Sequence, residues 1–196
     1  MGKIFYLMGK SASGKDTLFQ RLKEKYPEMK SVIMYTTRPI RSNEANGREY
    51  FFVNRDMFLA MKESGKMIEC RTYQTIHGPW DYFTMDDGQV DLERYNYLLV
   101  GTLESYEKLR EYYGEEAMCP LYIELDDGIR LERALARERQ QAEPKYRELC
   151  RRYLADDVDF SEENLEKAGI TTRYCNEDLT SCLRQLSEAM SKSMNG

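Results

Sequence analysis

The chain opens on five consecutive apolar residues, Ile4–Met8, that run straight into a glycine. An unbroken apolar run of that length predicts a strand covered on both faces, as in a parallel sheet. Leu18, Phe19, Leu22 and Tyr26 then recur at helical spacing, and Pro27 closes that helix. Further apolar runs predict strands over residues 32–35, 50–53, 67–73, 97–100 and 121–125, with a short helix over 57–62. Later periodic stretches predict helices over Leu103–Tyr113, 128–139 and 145–156. A short strand over 171–175 precedes a last helix over 179–190. Residues 36–48 carry Pro39, Asn43, Asn46 and Gly47 among basic and polar neighbours, which predicts a loop. Strands that alternate with helices imply an α/β fold with a parallel sheet core flanked by helices.

The length of 196 residues fits one domain with inserted subdomains. Acidic residues outnumber basic ones by 34 to 29, for a net charge of −5. A general nucleic-acid binder needs the opposite excess, so any anion site must be a local basic cluster. Five cysteines, an odd number with no C-x-x-C pair, are expected to be reduced thiols in a cytoplasmic protein. With His77 as the only histidine, a histidine-based metal cluster is excluded. The apolar opening is too short for a signal peptide or a membrane span.

The chemistry concentrates after the first strand. Gly9-Lys10-Ser11-Ala12-Ser13-Gly14-Lys15 matches G-x-x-x-x-G-K and lies between a predicted strand and a predicted helix. In that setting glycines let backbone N–H groups of Gly9, Ser11, Ala12, Ser13, Gly14 and Thr17 converge on phosphate oxygens. The helix N-terminus adds partial positive charge. Lys15 is expected to reach the terminal phosphates of a nucleoside triphosphate. Position 16 is Asp, where such loops normally place a Ser or Thr on Mg²⁺, and a carboxylate is an equally hard oxygen ligand. No Asp follows the strand over 97–100, so Asp16 is the expected metal ligand; an alternative is that it only caps its helix.

The run Thr36-Thr37-Arg38-Pro39-Ile40-Arg41, followed by Asn43-Glu44-Ala45-Asn46-Gly47-Arg48-Glu49-Tyr50-Phe51-Phe52-Val53, resembles the guanylate kinase family. Ile68-Glu69, Arg133 with Arg137, and Asn176-Glu177-Asp178-Leu179 agree with it. The resemblance implies a P-loop fold with a core over 1–32, 84–125 and 169–196. It also implies a monophosphate-binding subdomain over 33–83 and a lid over 126–168. It implies ATP and Mg²⁺ as cofactors and a nucleoside monophosphate acceptor, with no nucleic acid, membrane or protein partner. Arg38, Arg41 and Tyr50 would take the acceptor phosphate, and Glu69 the guanine N–H groups. Arg133, Arg137 and Arg152 would embrace the transferred phosphoryl, and Asn176 would touch adenine. Three positions depart from the family. Met34 replaces a base-contacting serine, His77 a phosphate-contacting tyrosine, and Thr102 an expected aspartate.

The leading expectation is phosphoryl transfer from ATP to GMP. Leu7 to Asp16 also resembles the phosphate loop of ribose 1,5-bisphosphate phosphokinase, a related kinase and the second reading. A third is a guanylate-kinase-like module that binds proteins without catalysis; its phosphate loop is usually eroded, and this one is intact. The acidic, Tyr-rich segment over residues 80–97 fits none of these patterns.

Overall fold

The computed structural model describes residues 1–75 and 78–195. Its centre is β1 (Ile4–Met8), fully buried as the unbroken apolar run requires. It lies in a four-stranded parallel sheet of order β6 (Tyr97–Gly101), β1, β7 (Met118–Glu124), β8 (Arg173–Cys175). Alternate side chains serve opposite faces. Phe5 and Leu7 pack with Leu18 and Leu22 of α1 (Lys15–Lys25) and with Cys182, Leu186 and Met190 of α7 (Leu179–Asn195). Ile4, Tyr6 and Met8 pack on the other face with Leu103, Tyr106 and Leu109 of α3 (Leu103–Tyr113) and Leu165 of α6 (Glu162–Lys167).

A second four-stranded sheet has the order β3 (Phe51–Phe52), β2 (Tyr35–Thr36), β5 (Gly78–Met85), β4 (Met67–Thr75). It is mixed: β2 and β3 run parallel, and β5 pairs antiparallel with both β2 and β4. On one of its faces Phe58, from α2 (Arg55–Glu63), packs with Val53, Phe83 and Met85. That face also holds a buried polar knot. Asp81 accepts hydrogen bonds from Thr72 Oγ1 at 2.6 Å and Arg55 Nη1 at 2.6 Å, and Thr37 Oγ1 accepts from the Asp81 N–H at 2.8 Å.

The lid sequence folds as α4 (Asp127–Arg139) and α5 (Tyr146–Asp159). Arg130, Arg133 and Arg137, spaced three and four residues apart along α4, do not share one exposed face. Arg130, Ala134 and Glu138 form the buried stripe of α4, while Arg133 and Arg137 lie outside it and Leu131 is exposed. Arg130 is completely buried. Its guanidinium donates to Asp127 at 2.8 Å, Asp157 at 3.2 Å, Asp156 at 3.4 Å and the Ser11 carbonyl at 3.3 Å. Among the described residues Glu138 pairs with no arginine; it accepts from Gln141 and from the Lys145 N–H at the start of α5.

Two elements escape the sequence pattern, β5 and α6. Residues 78–85 hold Gly78, Pro79 and four aromatic or charged residues, which masks a strand whose two faces are differently filled. In α6 only Leu165 is buried, too few apolar positions to show a period. The strand expected over 32–35 shrinks to Tyr35–Thr36, because Lys30 instead forms an isolated bridge to Tyr97. The rest of the 80–97 segment returns to the core sheet: Lys30 lies 3.6 Å from the Tyr95 ring centroid, and Tyr97 donates to the Gln89 carbonyl.

Removing a fully buried guanidinium leaves three carboxylates with Lys10 as their one remaining salt-bridge partner among the described residues, on Asp127 and Asp157. Because Asp127 and Asp157 are half exposed, the cost falls below the range for wholly buried pairs, at about 2–4 kcal/mol. Arg130→Met is therefore expected to lower the thermal midpoint by roughly 5–15 °C. Leu131→Ala, on the exposed side of the same helix, should leave it within about 2 °C. Equal shifts in the two variants by calorimetry would show that the Arg130 network does not hold α4.

Candidate active site

β1 and β6 end side by side, with Met8 in register with Gly101, so Gly9 and Thr102 leave the parallel sheet at its carboxyl edge. The crevice outside that edge is where open α/β sheets form ligand sites. The loop from Gly9 to Gly14 makes its turn there with positive φ at Ala12 (63°) and Gly14 (88°). Neither glycine can be replaced. A Cβ on Gly9 would stand 2.5 Å from the Ile123 carbonyl oxygen, and one on Gly14 2.3 Å from Asn176 Nδ2.

Gly14 is the N-cap of α1, and no side chain caps that helix end, so its first amides stay open toward the crevice. The Asp16 side chain is exposed in the first turn of α1, where its charge favours the helix N-terminus, and it makes no capping hydrogen bond among the described residues. Among the described residues Lys15 has no ion-pair or hydrogen-bond partner on its side chain. The Ser13 hydroxyl, though buried, also lacks a hydrogen-bond partner. An open helix N-terminus, an unpaired lysine, an unpartnered buried hydroxyl and a free carboxylate suit a polyphosphate with a hard cation.

The rest of the loop is clamped. Lys10 Nζ meets Asp157 at 2.7 Å and Asp127 at 3.4 Å, and Asp156 accepts the Ser11 N–H at 2.7 Å. Asp156 is thus an anion seated on a phosphate-loop amide, supplied by the lid. Asn176 is buried at the end of β8, its side-chain Nδ2 donates to the Ser13 carbonyl at 2.7 Å, and its backbone carbonyl accepts from Arg133 Nη1 at 3.2 Å. Arg133 and Asn176 therefore meet at the phosphate loop. Arg137 stays exposed, and Arg152 faces Glu148 across 3.6 Å on its own helix.

The second face of the mixed sheet carries the residues from the 36–53 block. Arg38 is almost wholly buried. It holds Glu44 by two hydrogen bonds, of 2.7 and 2.9 Å, and lies 5.6 and 5.4 Å from the ring centroids of Tyr50 and Phe52. These bonds to Arg38, joined by the Arg41 N–H, hold the Glu44 carboxyl down at about 2. Burial, then the neighbouring Tyr82, raises the Tyr50 hydroxyl, which keeps it a donor. Arg41 projects outward with no salt-bridge partner among the described residues.

Glu69 is buried rather than exposed at a strand end, and it is already engaged. It accepts from Arg71 Nε at 2.9 Å, Arg71 Nη2 at 3.3 Å and Thr84 Oγ1 at 2.8 Å. Arg71 reaches on to Thr102 Oγ1 at 3.2 Å and to the Met34 sulfur at 3.6 Å. Burial pulls the Arg71 guanidinium down, but the Glu69 carboxylate outweighs it and the group is raised overall. Thr102 caps α3 with its hydroxyl. The three positions Met34, Glu69 and Thr102 are thus gathered around one guanidinium. Sequence reasoning passed over Arg71, although its place two residues beyond Glu69 on a strand puts both on one face. It also passed over Asp156 and Asp157, whose only signal was an acid pair at the end of the lid. His77 lies outside the described residues.

A family model described as guanylate kinase matches residues 1–78. The guanylate kinase of Koribacter versatilis is 44% identical over 68 residues, 35% of this chain and 29% of that protein. That of Nocardia farcinica is 40% identical over 77 residues, 39% of this chain and 38% of that protein. The chain thus spans about a third of the length of these two curated relatives. The guanylate kinase of Nostoc sp. matches far more, at 30% identity over 152 residues, 72% of this chain and 74% of that protein. A solved structure of guanylate kinase from Anaplasma phagocytophilum superposes with a TM-score of 0.66 over 97% of this chain and 85% of that one. At 19% identity that likeness speaks for the α/β fold alone. With three quarters of the Nostoc protein matched and the phosphate loop and 36–53 block inside the family model, the chain belongs to the guanylate kinase family.

Proposed function

We propose that this protein transfers the terminal phosphoryl group of Mg·ATP to a nucleoside monophosphate, with GMP as the acceptor. The observation that carries this reading is the open phosphate loop, together with Arg38 and Tyr50 on a sheet whose Arg71 reaches Thr102 at the carboxyl edge of the parallel sheet. One half suits a triphosphate donor and the other a phosphate monoester. In this reading the cofactor lies on the amides that open α1, with Lys15 on its terminal phosphates and Asp16 holding Mg²⁺. The metal supplies charge neutralisation between the phosphates. The acceptor phosphate oxygen is itself the nucleophile, so no general base is needed. Catalysis then consists of alignment and charge. Arg133, already at Gly14 and Asn176, is placed to meet the donor, and Arg137 and Arg152 would follow as the lid closes and excludes water. In this reading the lid spans 126–168 and the acceptor subdomain 33–83.

The Arg38–Glu44 pair sets the acceptor end. Its two hydrogen bonds engage Arg38 on one edge and fix the guanidinium between Tyr50 and Phe52, so the acceptor phosphate would meet a preformed cation. The second reading, sugar bisphosphate kinase, finds no free cation at Arg71, because Glu69 already neutralises that guanidinium. One assay separates the two: ADP release with Mg·ATP and, in turn, GMP, dGMP, AMP, UMP, CMP and ribose 1,5-bisphosphate. GMP is expected to dominate, and turnover only with the sugar bisphosphate would replace this reading.

Lys15→Met should lower kcat by about 10²-fold or more, as loss of a donor aimed at developing charge does elsewhere. Asp16→Asn should raise the Mg²⁺ concentration for half-maximal rate at least several-fold; an unchanged Mg²⁺ curve would remove Asp16 from the metal site. The Glu44 carboxyl, lowered to about 2 from its ordinary 4.5, contributes stability in full above pH 4.5. That contribution disappears as the pH falls toward 2. Denaturant titrations of wild type and Glu44→Gln should therefore differ by a constant amount from pH 7 to 5 and converge below pH 4.5. A difference between wild type and Glu44→Gln that showed no fall with pH between 5 and 2 would mean that Arg38 does not hold ionised Glu44 in solution.

A further inference from the structure

Resting on the reading above, the question left open is what a base would meet at the far end of the acceptor crevice. An ionised carboxylate has about four acceptor positions. Three of those on Glu69 are taken, two on Oε1 by Arg71 Nη2 and Thr84, and one on Oε2 by Arg71 Nε. One position on Oε2 stays open. Glu69 therefore cannot accept two N–H groups of a base while Arg71 stays where it is. The Thr102 hydroxyl is engaged as well. It takes Arg71 Nη1 and the Ser105 N–H, and meets the Ser105 hydroxyl at 3.1 Å.

The open donors point the other way. Arg71 carries five N–H groups. Nε and one N–H of Nη2 hold Glu69, and one N–H of Nη1 holds Thr102. The second Nη1 N–H is open, and the second on Nη2 meets only the Met34 thioether, a weak acceptor, at 3.6 Å. A base edge that reached this cluster would meet one lone pair of a carboxylate that is 1% exposed, beside a guanidinium that is 9% exposed and has donors to give. A 6-oxopurine presents a matching edge, its N1–H donor next to its O6 acceptor. Adenine in the same pose sets an amine against the guanidinium and a ring lone pair against the carboxylate. The 2-amino group that separates guanine from hypoxanthine finds no further open acceptor among the described residues of this cluster.

We propose that Arg71 is a specificity-determining residue that donates to the 6-oxo group of the acceptor base, with Glu69 taking N1–H. The site then selects 6-oxopurine nucleoside monophosphates as a class and reads the 2-amino group little. Met34 is part of the device, because its thioether leaves the guanidinium edge available to a stronger acceptor. Charge also fits: the Glu69–Arg71 pair is neutral overall, so a neutral base edge can bind without leaving a buried charge unpaired.

The test measures kcat/KM for GMP, IMP and AMP with Mg·ATP, in the wild type, Arg71→Met and Arg71→Met/Glu69→Gln. Wild type is expected to use GMP and IMP within about tenfold of each other and AMP at least 100-fold less well. Arg71→Met should raise KM for both GMP and IMP tenfold or more, leave the KM for ATP unchanged and narrow the gap to AMP. The double variant removes the carboxylate that Arg71→Met leaves unpaired. It keeps the test decisive if the single variant does not fold. A wild type that uses GMP more than 100-fold better than IMP would overturn the proposal, as would an Arg71 variant with intact discrimination against AMP. Either result would leave the kinase reading standing. Absence of turnover with all three monophosphates in the wild type would overturn that reading itself, and Arg71 with it.

Discussion

Everything in the crevice depends on how β1 ends. Five residues buried on both faces hold the strand rigidly, and the chain must then turn through Gly9 where a Cβ would collide with the Ile123 carbonyl at 2.5 Å. That close approach to β7 aims the next five residues at the carboxyl edge of the sheet. The turn closes through left-handed conformations at Ala12 and Gly14, after which the amides of α1 face outward without a side-chain cap. A helix N-terminus fixed to a buried strand is a positive site whose position costs nothing to organise when a ligand arrives.

The remainder of the site is a problem of managing cations in an acidic protein. Arg130, Lys10, Arg38 and Arg71 are each held by carboxylates, from Asp127, Asp156 and Asp157 on the lid to Glu44 and Glu69 on the mixed sheet. These pairs orient; they leave little net charge behind. The cations without a salt bridge among the described residues include Lys15, Arg41 and Arg137, which the proposed function sets at the donor end, the acceptor end and the lid. Structural and ligand-facing charge are in this way separated on neighbouring residues: Lys10 beside Lys15 in one loop, Arg38 beside Arg41 in another. Asp156, bound to the Ser11 amide, couples the lid to the phosphate loop through an interaction that an incoming anion would contest.

Strand β1, the phosphate loop and helix α3 were legible in the chain because their signals are local. An apolar run of five, a glycine spacing and a helical period each depend on a few neighbouring residues. Strand β5 was not legible, since its faces meet different surroundings: Phe83 and Met85 enter an apolar cluster, Asp81 a polar knot and Tyr82 the site. Its pattern of side chains makes sense only once β2 and β4 lie on either side.

Sequence alone determined which chemistry is available: a phosphate loop, two loop arginines with a tyrosine, a strand glutamate and a lid rich in arginine. Tertiary structure decided what each of these groups is free to do. Arg130, Arg133 and Arg137 are alike in the sequence, yet packing buries the first among three aspartates, sets the second on Asn176 and leaves the third in solvent. Glu69 is a plain carboxylate in the sequence; Arg71, two residues on, fills two of its acceptor positions, and only the pairing of β4 with β5 brings Thr84 onto a third. The physical reason is common to both cases. Residue identity fixes charge and hydrogen-bonding capacity, whereas the share of that capacity left for a ligand depends on neighbours that are distant along the chain.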